Sequence, residues 1–113
     1  YEPGYGIFLL PLIGLMKRQL RHSKMLFNDF IFGIRDTGRM NVECLRRIIY
    51  ALPDGVSEIF LHPATKHHKK VEPEATEFQF EEEFNALIDP LVRDAITISG
   101  VKLISFSDLN TKT

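Results

Sequence analysis

Leu26-Phe27-Asn28-Asp29-Phe30-Ile31-Phe32-Gly33 is dense in aromatic and β-branched residues and closes on a glycine, the pattern of a short strand. Asp36-Thr37-Gly38-Arg39 then supplies turn chemistry. Asn41 stands where an N-cap would, ahead of Val42, Leu45, Ile48, Ile49 and Leu52 at three- and four-residue spacing. That spacing predicts an amphipathic helix of about three turns. Pro53-Asp54-Gly55 breaks it, and Val56-Ser57-Glu58-Ile59-Phe60-Leu61 reads as a second strand ended by His62-Pro63. A helix between two strands is a crossover long enough to make them parallel, so the stretch points to an α/β fold with right-handed connections.

Working outward, the apolar run Tyr5 to Met16 is interrupted by Pro11 and Gly14, too short for a membrane span, and followed by Lys17, Arg18, Arg21 and Lys24. A signal peptide carries its charges in front, so the run reads as a buried or interface helix with basic residues where its dipole favours them. His22 closes that helix in solvent. Downstream, residues 64–79 have no clear period and read as a functional or mobile loop. Glu81, Glu82 and Glu83 suit a helix N-terminus ahead of Phe84, Leu87 and Ile88. Asp89-Pro90 starts another helix, with Leu91, Val92, Ala95 and Ile96 on one face and Gly100 as its stop. Val101-Lys102-Leu103-Ile104-Ser105-Phe106 reads as a third strand. The expected series is α-β-α-β-α-α-β, and three strands are few for a parallel sheet covered on both faces.

The chain has 113 residues, 44% hydrophobic and 26% charged, which suits one globular unit. Its single Cys44 cannot pair internally, which fits a reducing, cytoplasmic setting. Residues 1–70 carry eleven Lys and Arg against six acids, and residues 71–113 carry three against nine. The asymmetry reads as two solvated faces, because no aromatic-interleaved basic stripe supports nucleic-acid binding. The chain opens on Tyr1-Glu2-Pro3-Gly4, from which we expect a piece of something longer.

Sites in parallel α/β folds gather at the carboxyl ends of strands. That rule selects Asp36 after the first strand, His62 and the rigid Pro63 after the second, and Ser107-Asp108 after the third. A strand-end imidazole suits a general acid or metal ligand, or it simply caps a backbone group. Asp29, inside the first strand, is a site residue or a hydrogen-bonded anchor. His67-His68 stand among Lys66, Lys69 and Lys70, whose positive charge opposes cation binding. No glycine-rich phosphate loop, nucleophile elbow or paired cysteine motif is present.

Several blocks together resemble a known family. Asn28-Asp29-Phe30-Ile31-Phe32-Gly33, Gly38-Arg39-Met40, Leu52 to Thr65, Glu83 to Pro90, Val92-Arg93 and Gly100 to Leu109 resemble, in order, the C-terminal part of the YdjC-like carbohydrate deacetylases. The likeness is strongest to the subgroup associated with hopanoid biosynthesis (HpnK), and the loop 66–79 is its most divergent part. The resemblance implies the C-terminal part of a deformed (β/α) barrel, parallel strands with covering helices, residues 1–113 forming a single segment. It implies a hydrolase that removes the acetyl group of an N-acetylated sugar, a chito-oligosaccharide or hopanoid-linked N-acetylglucosamine. A divalent metal, magnesium or zinc, would polarise the carbonyl and activate water, a carboxylate would take the water's proton, and an acid would protonate the leaving amine.

On that resemblance His62 is the catalytic acid or oxyanion-side group, and Asp29, Asp36 and Pro63 are substrate-binding. The family's His after Asp29 is Phe30 here, which carries no proton. The family's tandem Asp and metal-binding His motifs precede the matched region. We therefore expect a segment that binds no metal itself, is inactive alone, and packs against an N-terminal portion or forms a homo-oligomer. The alternative is a non-catalytic remnant or self-associating binding module. Neither carries a transmembrane segment or a nucleic-acid partner.

Overall fold

The computed structural model describes residues 6–65 and 77–109. The chain divides into two compact units, Asp29–Lys102 and a second made of residues 1–28 with 103–113. The first is a mixed α/β unit. Strand β1 (Phe30–Phe32) is followed by helix α2 (Val42–Tyr50) and strand β2 (Ser57–Ile59). The two strands pair in parallel, Phe30 with Ser57, Ile31 with Glu58 and Phe32 with Ile59. Phe60 N–H extends the ladder by donating to Phe32 O at 3.1 Å. Both strands are shorter than their sequence patterns, and Asp29 precedes β1 instead of lying inside it.

The local signals around α2 act as expected. Asn41 Oδ1 accepts from Cys44 N–H at 3.0 Å, satisfying a donor that the first helical turn leaves free. Cys44, Leu45, Ile48 and Ile49 form its buried face, and Val42 and Leu52 pack at the margin. Each fully buried Leu or Ile contributes about 1.5–3 kcal/mol. Helices α3 (Phe80–Ile88) and α4 (Pro90–Ser99) close the core with Ala86, Val92 and Ala95, both packing against α2. Asp89 Oδ1 caps α4 through Leu91 N–H at 2.8 Å, Pro90 occupies its first turn, and Gly100 ends it at φ +67°.

Two faces differ from their sequence patterns. Leu87, Ile88 and Leu91 are exposed, because α3 and α4 turn the smaller Ala86, Val92 and Ala95 toward α2. Among the described residues the sheet has two strands, so the third strand expected at 101–106 does not form. Ser105 N–H and Oγ–H both donate to Asp108 Oδ2, at 2.7 and 2.9 Å, and this local cap starts a short helix α5 (Phe106–Leu109) instead.

In the other unit, α1 (Gly6–His22) runs through Pro11. It ends in a Schellman turn with Lys24 at φ +55°, Lys24 N–H on Arg21 O and Met25 N–H on Leu20 O. Arg21 lies 5.8 Å over the Phe27 ring. Of the two placements expected for this helix, buried or interface, the buried one is not found. Leu9, Leu10, Leu12, Leu15 and Met16 are each about half exposed. No helix among the described residues is long and apolar enough to cross a membrane.

Candidate functional site

Gly33 ends β1 at φ +104°, and a Cβ there would collide with the Phe60 carbonyl oxygen, so only glycine lets the two strand ends lie this close. The chain leaving β1 makes a turn in which Thr37 Oγ1–H reaches Gly33 O at 2.9 Å and Ile34 O at 2.6 Å. The chain leaving β2 passes Phe60 and Leu61 and reaches His62, which is partly buried at the carboxyl edge of the sheet. The imidazole is held by aromatic rings, with Phe60 edge-on at 5.4 Å and Phe78 tilted at 5.0 Å. Phe80 continues the group at 5.7 Å from Phe78. Nδ1 of His62 is sealed from solvent with no hydrogen-bond partner among the described residues.

Glu83 is the residue whose place the sequence did not disclose. It lies in the first turn of α3, where a solvated acid is the ordinary expectation, and is fully buried while Glu81 and Glu82 are exposed. Its Oε2 accepts from His62 N–H at 2.6 Å and its Oε1 from Met40 N–H at 3.1 Å. One carboxylate thus joins the segment after β1 to the segment after β2. It lies three residues before Ala86, on the same helix face, but a run of three glutamates carries no sign of which one turns inward.

Within the unit Asp29–Lys102, Asp29 and Asp36 do not converge on His62. Asp29 sits at the amino end of β1, across the length of the strand, where its Oδ2 accepts from Val56 N–H at 2.9 Å and its own N–H donates to Val56 O at 2.8 Å. Those bonds are what its anchoring alternative requires. Asp36 is in the turn after β1, but its carboxylate faces α2, 3.4 Å from Arg47. Pro63 is exposed beside His62 and fixes the chain leaving it. Buried Cys44 donates toward Met40 Sδ at 3.6 Å, and desolvation, reinforced by nearby Asp36, pushes its thiol pKa up. Ser107 and Asp108 belong to α5, with Asp108 capping its own helix. His67 and His68 lie outside the described residues.

A groove of about 450 Å³ lies at the amino end of β2, lined by Tyr50, Pro53, Gly55, Ser99 and Lys102 among others. It does not include His62. Among the described residues no three His, Cys, Asp or Glu side chains are grouped to hold a metal ion. Both Glu83 oxygens accept from backbone amides, and His62 Nδ1 is closed off.

Comparison with protein-family models matches residues 6–97 to the family described as YdjC-like protein. Comparison with curated proteins and with solved structures gives no match.

Proposed function

Because the chain belongs to the YdjC-like protein family, we propose that it takes part in hydrolysing the N-acetyl group of a sugar, with His62 as the proton donor at the acetamide. The β1–α2–β2 unit then forms part of a deformed (β/α) barrel, from its C-terminal portion, and His62 stands at the strand-end edge where such folds place chemistry.

The observation that supports this role is the fixed imidazole at the carboxyl edge. Its ring is flanked by Phe60 and Phe78, its Nδ1 is closed, and its backbone amide is bound at 2.6 Å by Glu83. In amide hydrolysis water adds to the acetyl carbon, the C–N bond breaks, and acetate leaves with the free amine. The amine nitrogen departs as a poor leaving group unless it gains a proton. A ring with little rotational freedom delivers that proton to one place. A divalent metal, if bound in the polypeptide that carries these residues, would supply polarisation of the acetyl carbonyl, and the role assigned to His62 is proton donation to the departing nitrogen.

The test is acetate release from N-acetylated chito-oligosaccharides and from a hopanoid-linked N-acetylglucosamine, using the polypeptide that naturally carries these residues. His62→Ala is expected to lower kcat by about 10²–10⁴-fold with bound metal unchanged. Wild-type turnover in that variant, or loss of its metal, contradicts the assigned role. A second reading, a module that self-associates through α1, is favoured by the half-exposed Leu9, Leu12, Leu15 and Met16. Concentration-dependent mass in solution supports it, and a monomer at every concentration removes it.

A further inference from the structure

Resting on the reading of His62 as proton donor, we propose that Glu83 is its positioning residue, a buried carboxylate that locks the segments leaving β1 and β2 into one arrangement. Burying a carboxylate is costly unless hydrogen bonds replace its water. Among the described residues the partners of Glu83 are two main-chain amides, Met40 N–H and His62 N–H, and no cation. An apolar residue at this position would avoid the cost of burying a charge but would leave the Met40 and His62 N–H groups without their acceptor. What the carboxylate supplies, and an apolar residue cannot, is a pair of acceptors at fixed separation.

Those acceptors hold two places that matter to the site. Met40 lies between the turn that follows β1 and Asn41, the cap of α2. His62 lies directly before Pro63, with its ring between Phe60 and Phe78. The ring packing fixes the imidazole plane, and the Glu83 bond fixes the backbone from which it projects. Gln79 N–H to Gly38 O at 2.7 Å and Ala64 N–H to Phe80 O at 3.1 Å tie the entry to α3 to the same two segments. The start of α3 therefore spans both strand ends, and Glu83 is its one side chain buried between them.

Glu83→Gln isolates the effect. The amide keeps the shape and one acceptor oxygen, but turns an NH2 group toward the other main-chain N–H, so one of the two bonds is lost. Expected are a kcat lower by about 10–100-fold, as a displaced catalytic group produces, and a KM within about twofold. Amide hydrogen exchange at His62 or Met40 accelerates while Ile48 in the α2 core stays protected. Glu83→Asp, which keeps both oxygens, recovers part of the lost kcat, and exposed Glu82→Gln leaves turnover unchanged.

Wild-type kcat in Glu83→Gln, or a change in KM alone, overturns the proposal. If the variant does not fold, exchange in the wild-type protein decides. A protected His62 amide supports the lock, and exchange at the rate of an unstructured segment removes it. Failure of the underlying reading looks different, because His62→Ala then keeps wild-type turnover whatever the exchange data show.

Discussion

Replacing Gly33 by alanine should be among the most damaging single-methyl changes in the unit Asp29–Lys102. Its φ of +104° is a backbone conformation that costs an L-residue about 2–3 kcal/mol. The added Cβ also meets the carbonyl oxygen of Phe60, which is backbone and cannot swing aside as a side chain could. Moving Phe60 strains the bond from its N–H to Phe32 O at 3.1 Å, whose loss costs about 1 kcal/mol. The combined penalty is about 3–4 kcal/mol, a fall in Tm of about 12–30 °C for a domain of this size. Gly100→Ala is the reference, since it also has positive φ, +67°, but nothing lies within 4 Å of its Cβ. It should cost about 1–2 kcal/mol. Urea unfolding followed by far-ultraviolet circular dichroism measures both. If Gly33→Ala is no less stable than Gly100→Ala, the collision is not limiting and the close approach of the two strand ends has been misjudged. The Phe60 ring is 5.4 Å from that of His62, so a displaced Phe60 should also alter the His62 ring resonances.

Other perturbations probe different links. Asn41→Ala removes the acceptor for Cys44 N–H and should lower stability by about 1 kcal/mol, while Asn41→Asp, which keeps an acceptor, should stay close to wild type in the same urea titration. Cys44 tests linkage: burial raises its thiol pKa in the folded chain, so the folded state keeps a proton that the unfolded state releases. That stability is complete below the ordinary thiol range, about pH 8.5, and declines as pH rises from there through the folded value. Urea midpoints between pH 7.5 and 10 should fall more steeply for wild type than for Cys44→Ala, and equal slopes would remove the effect.

The sequence by itself determined what is settled within four residues of chain. Asn41 on Cys44 and Asp89 on Leu91 are local hydrogen bonds, Pro90 suits a first turn because it lacks an N–H there, and Gly100 adopts positive φ because it has no side chain. The apolar spacing of α2 likewise named its buried face, because a helix repeats every 3.6 residues whatever it packs against. From these the alternation of helix and strand, and the parallel pair that a helical crossover requires, followed directly. The tertiary structure decided what depends on distant partners. Val101 to Phe106 has strand composition, but a strand exists only through a neighbour's hydrogen bonds, and the local Ser105–Asp108 cap competes for the same backbone. Asp29 and His62 are both plausible site residues in sequence, yet parallel pairing puts them at opposite ends of the strands. Glu83 could be distinguished from Glu81 and Glu82 only once folding brought Met40 and His62, far apart along the chain, to its two oxygens. Capping and periodicity are properties of neighbouring residues, whereas burial of a charge is decided by whichever amides the fold delivers to replace its water.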